Sequence, residues 1–115
     1  MARNVALLEA TMQQVLDHPE THDQASWDCG SSACFIGWAF RLAGQDINVV
    51  SGHTRFNDYI GASAELLGLS DIEVMVLSSP TNSVPMLELM VKDLVNGQEL
   101  RGSYHYHQEA QHAQH

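Results

Sequence analysis

The 115-residue chain is short of basic side chains. It has 5 Lys and Arg against 14 Asp and Glu, a formal net charge of −9. A surface this acidic repels phosphate, which argues against non-specific binding to nucleic acid or to anionic membranes. Long hydrophobic runs are also missing. No stretch approaches the roughly 18–20 apolar residues of a membrane-spanning helix. The first residues, Met1-Ala2-Arg3-Asn4, lead into a pattern broken by Glu9, Gln13 and Gln14. They lack the apolar block and cleavage site of a signal peptide. The expected location is therefore a reducing cytoplasm, where disulfides are uncommon. Cysteine is scarce too. Two residues, Cys29 and Cys34, cannot form a disulfide scaffold, and both are expected as thiols. Internal repeats are absent. The length suits one domain, since halves of such a chain are too small to bury their own cores.

What is present reads as helices. Val5, Leu8, Met12, Val15 and Leu16 fall at helical spacing over residues 4–16, with Glu9, Gln13 and Gln14 facing away. His18-Pro19 stops that helix, because the residue before proline is pushed out of the α region. Residues 17–31 are polar and irregular, with Trp27 as the expected anchor. Ser31 or Ser32 is predicted to cap a second helix that runs to Ala43, with Gly44 as its stop. Residues 33–43 are apolar on nearly every side, which predicts a buried central helix. Gly37 in its middle marks a close approach of another helix.

Residues 45–56 read as a loop, with a short extended piece at Ile47–Val50. A third helix is predicted over Asn57–Leu67, ended by Gly68. Ser70-Asp71-Ile72-Glu73 is a capping box for a fourth helix through Leu77, ended by Ser79-Pro80. A fifth starts at Ser83 or Val84 with Pro85 in its first turn. Its apolar stripe is Leu87, Met90, Val91, Leu94 and Val95, and Asn96-Gly97 ends it. Gly102 to His115 carries His105, His107, His112 and His115, with little apolar beyond Tyr104, Tyr106 and two alanines. That composition predicts a disordered His-rich tail over residues 98–115. The expected fold is therefore all-α: a single compact domain of about five short helices over residues 1–97, followed by the tail.

The stretch richest in chemistry is Trp27-Asp28-Cys29-Gly30-Ser31-Ser32-Ala33-Cys34-Phe35-Ile36-Gly37-Trp38-Ala39. With His18-Pro19-Glu20 before it and Ala64-Glu65-Leu66-Leu67-Gly68-Leu69-Ser70 after it, the chain resembles a group of short uncharacterised proteins of actinobacteria and their bacteriophages. Their pattern is His-Pro-Glu, then Trp, then Cys-Gly-Thr-x-x-Cys-x-x-Gly-Trp-Ala, then Ala-x-x-Leu-Leu-Gly-Leu-Ser/Thr. The resemblance covers residues 4–95 and departs at Ser31, where the pattern has Thr. It implies an intracellular, phage-related setting and no chemistry for any particular residue.

Three physical readings of this stretch compete. In the first, Trp27, Cys29, Gly30, Cys34, Gly37 and Trp38 form a structural motif. Both thiols then pack as small hydrophobes, Gly30 makes the turn, and no cofactor is involved. In the second, His18, His22, Cys29 and Cys34 offer two imidazoles and two thiolates to a tetrahedral zinc. The four residues between the cysteines are at the upper end of the usual spacing. In the third, Cys29 is the nucleophile of a thiol-dependent hydrolase, because a helix N-terminus lowers a thiol's pKa. Asp28-Cys29-Gly30 before Ala39-Phe40-Arg41-Leu42-Ala43-Gly44 resembles the cysteine helix of cell-wall amidases with an Asp-Cys-Ser-Gly motif. Those enzymes need a strand-borne histidine and a sheet, and here only Ser51-Gly52-His53 follows before more helix. The residues favour the structural reading and a non-catalytic protein.

Ala64, Gly68, Leu69, Ser70 and Val74 have the spacing of a helix-turn-helix. The second helix offers Asp71 and Glu73 and no Lys or Arg, so a plain helical corner is expected instead of DNA reading. The tail histidines could take up transition metals in passing. The acidity itself points to a protein partner with a basic surface, reached by salt-sensitive steering. The expected role is a small acidic interaction protein that binds a host or phage protein.

Overall fold

Several helix boundaries among the described residues coincide with a residue that satisfies or terminates the backbone ladder. The computed structural model describes residues 3–22, 34–44 and 56–113. Helix α1 spans Val5–Asp17 and is capped by Asn4, whose side chain accepts a bond from the Leu7 N–H. A 3₁₀ turn, Pro19–Thr21, follows directly. Helix α2 spans Phe35–Leu42. Helix α3 spans Phe56–Leu67, and α4 spans Asp71–Leu77 behind the Ser70/Glu73 capping box. Helix α5 runs over Val84–Val95 behind Ser83, with Pro85 in its first turn. Helix α6 spans Ser103–Ala113. Helices α3 and α5 end alike. Gly68 and Gly97 take φ of 68° and 81°, and the next N–H bonds back to Ala64 and Asp93. This left-handed ending favours glycine because a Cβ is strained there.

The fold is all-α, and no strand occurs among the described residues. Helix α1 packs against α2, α3 and α5, α3 packs against α2 and α4, and α6 packs on α5. The Cα radius of gyration of 13.2 Å is the size expected of one compact domain of this length. The core joins Leu8, Met12 and Val15 of α1 to Phe35, Ile36 and Phe40 of α2, and to Leu87, Met90 and Leu94 of α5. Truncating a fully buried aromatic such as Phe35 or Phe40 costs about 3–5 kcal/mol in cores of this kind.

Several expectations are corrected. Helix α2 is buried, and α1, packed against α2, α3 and α5, shares the core with it. Burial in α2 covers Phe35, Ile36, Gly37, Ala39 and Phe40 and stops there, and Leu42 is 44% exposed. Its N-cap is Cys34, with no side-chain cap bond, instead of Ser31 or Ser32. In α1, Leu16 is 42% exposed although its spacing placed it on the apolar stripe, and Thr11 is buried in its stead. Thr11 tolerates this because its hydroxyl donates to the Leu7 carbonyl at 2.7 Å. The predicted extended piece at Ile47–Val50 lies outside the described residues.

The largest correction concerns the tail. Where composition predicts disorder, residues 103–113 form α6, the sixth helix. The cause is one residue. Tyr106 is fully buried, its hydroxyl donates to Asp93 Oδ2 at 2.8 Å, and it accepts from the Arg101 N–H at 3.2 Å. Ala110, one turn on, is also buried. Burial and the nearby Asp93 carboxylate push the Tyr106 phenol up from 10.0 to about 12, against the opposing Arg101 N–H bond.

The other tie is Glu73, a buried carboxylate. It accepts from Arg3 Nη2 at 3.1 Å, from the Ser70 N–H at 3.1 Å and from the Leu100 N–H at 3.3 Å. Arg3 Nη1 also donates to the Leu94 carbonyl at 3.0 Å. Replacing Glu73 with Ala is expected to cost roughly 2–4 kcal/mol in urea unfolding, because a half-buried guanidinium and two backbone N–H groups lose their acceptor. For Tyr106, the phenol is protonated in the folded state at pH values where the unfolded chain already ionises. Its contribution is complete below about pH 10 and falls away as pH rises toward 12. Tyr106→Phe is therefore expected to lose less stability over that interval than the parent, as read by urea midpoints at each pH.

Candidate functional site

The motif residues converge on the start of α2. Cys34 is 2% exposed and sits at the N-cap. Four residues later, Trp38 donates its indole N–H to the Thr21 carbonyl at 2.9 Å. Thr21 ends the turn that begins at Pro19, and its own hydroxyl and N–H both bond the His18 carbonyl. His-Pro-Glu and Gly-Trp-Ala, separated by 16 residues in the chain, are thus two halves of one contact. Proline starts the tight turn, and the indole holds the turn's last carbonyl. On the other side of the ring lies Arg41, whose guanidinium carbon is 4.6 Å from the Trp38 centroid. Gly37, between them, is buried.

Cys29, Trp27 and Gly30 lie outside the described residues, as does His53. Of the zinc set, His18, His22 and Cys34 are described. His18 is largely exposed and faces Glu20, with Nδ1 at 3.5 Å from Oε1. His22 is half-buried at the end of the turn. Among the described residues, no three His, Cys, Asp or Glu side chains are gathered to hold a metal ion. The Trp38–Thr21 bond fastens the turn after α1 to α2.

The α3–α4 pair is a helical corner. Leu69 is buried at the turn, and Glu73, on α4, faces inward to Arg3. The outer side of α4 presents Asp71, Ile72 and Met75, and Ile72 is 72% exposed. From residue 56 to residue 77 the sequence contains no Lys or Arg. Among the described helices, none is long and apolar enough to cross a membrane.

The electrostatic character of the surface was only half visible in the count of charges. Glu9, Asp17, Glu20, Glu65, Asp71, Glu88, Glu99 and Glu109 are all exposed. Two basic residues are engaged within the fold: Arg3 is held by Glu73, and Arg41 lies over Trp38. Arg101 is exposed, with Nη1 3.2 Å from His105 Nε2. The sequence count could not show the pairing of Arg3, because Glu73 lies 70 positions away.

Comparison with models of known protein families, with curated proteins and with solved structures finds no match.

The indole bond yields a direct test. Trp38→Phe keeps an aromatic ring, smaller than indole, and removes the donor, leaving the Thr21 carbonyl without it. The lost bond is expected to cost about 1 kcal/mol, with the lost ring contact adding to it. Amide exchange at Thr21 and His22 should accelerate severalfold, while amides in the middle of α5 slow or quicken only with global stability.

Proposed function

We propose that this protein is a small acidic interaction protein that works by binding a partner with a basic surface, without catalysis. The setting is the inside of a bacterial cell, and the partner is a host or phage protein, in line with the phage-related motif. The observation that carries the reading is the division of charge. Eight carboxylates of the described residues face outward, while Arg3 is paired with the buried Glu73 and Arg41 lies over Trp38. A net charge of −9 displayed in this way attracts a basic patch over about a Debye length and speeds encounter.

The test is affinity capture from a bacterial host lysate at low salt, about 50 mM, repeated at about 500 mM. One basic protein in stoichiometric amount is expected at low salt, and the purified pair should dissociate at high salt. Failure to capture any basic protein at low salt overturns the reading.

A further inference from the structure

Helices α1 and α5 lie side by side and leave an open furrow of about 330 Å³ between them. Its floor is apolar. Met12 and Leu16, one turn apart on α1, face Val91 and Val95, one turn apart on α5. Met12 and Val91 belong to the buried core, Val95 is half-buried, and Leu16 is 42% exposed. Its rims carry Glu9 from α1 and Glu88 from α5, both exposed. Two parallel rows of side chains at i and i+4 form ridges with a groove between them, the receiving geometry for a third helix. The spacing along each ridge matches the i, i+3, i+4 and i+7 anchors of an amphipathic helix.

We infer that this furrow is the docking site for an amphipathic helix of a partner protein, with large aliphatic or aromatic side chains on one stripe and Lys or Arg flanking it. The inference deepens the proposed function and rests on it. Charge selects the occupant. A carboxylate on each wall matches a cation on each flank of an incoming helix, whereas a second copy of this chain brings −9 against −9. Arg3 ahead of α1 bonds Leu94 near the end of α5, so the two helices run antiparallel and Glu9 and Glu88 mark opposite ends of the furrow, with Lys92 one turn beyond Glu88 on the α5 wall. Leu16 explains itself in this arrangement. A leucine left out of the core at the lip of an apolar groove is the anchor that a partner helix covers.

The probe is a synthetic amphipathic peptide of Leu and Lys, with Leu at i, i+3, i+4 and i+7, and its counterpart with Glu in place of Lys. Binding is read by amide shifts and by titration. The Lys peptide is expected to bind and to shift residues around Leu16, Val91 and Val95. The Glu peptide should bind about tenfold more weakly or not at all. Leu16→Ser should weaken the Lys peptide about tenfold. The double change Glu9→Gln with Glu88→Gln should weaken it and flatten its salt dependence. Ile72→Ser, on the exposed side of α4, should leave it unchanged. All four positions are exposed, so the variants are expected to fold, and circular dichroism checks this. Equal binding by Leu16→Ser, shifts centred on α4, or a dimer of this chain that Leu16→Ser dissolves each overturns the inference. The two proposals fail differently. If the captured basic protein binds Leu16→Ser as tightly as the parent, the furrow is wrong and the interaction role stands. If no basic protein is captured, the interaction role is wrong.

Discussion

The carboxylate of Glu73 joins four separate parts of the chain. It accepts from Arg3 ahead of α1, from the Ser70 backbone at the start of α4 and from the Leu100 backbone beyond α5, while Arg3 reaches on to the last turn of α5. A buried carboxylate is tolerated only when its lone pairs are occupied, and here they are. The geometry is demanding. The N-terminus must lie across the ends of α4 and α5 for the guanidinium to arrive. Asn4, next in sequence, repeats the constraint by donating its backbone N–H to the Leu67 carbonyl at 2.8 Å. Helix α1 is therefore positioned at its start by polar bonds and along its length by Leu8, Met12 and Val15 in the core.

The consequences run outward from that placement. With α1 between α2, α3 and α5, its inner face is consumed and its outer face carries Glu9, Gln13 and Asp17. The same packing brings α5 alongside and opens the furrow under Leu16. Arg3 and Glu73 are taken up together by their mutual pairing, so the exposed carboxylates of the described residues outnumber the exposed cations.

The Trp38 contact shows how a sequence motif can be structural. His-Pro-Glu and Gly-Trp-Ala look like independent signatures, yet an indole N–H donating to the Thr21 carbonyl makes them a single joint. A tryptophan suits the role because its ring packs against the fold while its one donor reaches a buried acceptor. Arg41 closes the other face of the ring. Cys34, buried at the same helix start, packs into the core, as expected of a cysteine used for its size.

Local signals in the sequence decided the boundaries of α1, α3, α4 and α5. Proline, glycine, capping serines and asparagine act within about one helical turn, so Pro19, Gly68, Ser70, Ser83 and Gly97 could be read without knowing what lay nearby. The all-α class followed from the 3.6-residue spacing of apolar side chains. What depended on distant partners was not readable. The tail's composition is that of a disordered segment, and only the pocket around Asp93 and Arg101 makes Tyr106 a core residue that draws α6 into the fold. The exposure of Leu16, the burial of Thr11 and the pairing of Arg3 with Glu73 likewise rest on which helix lies against which. Periodicity states that a helix has an apolar face, but the neighbours decide how much of that face is covered.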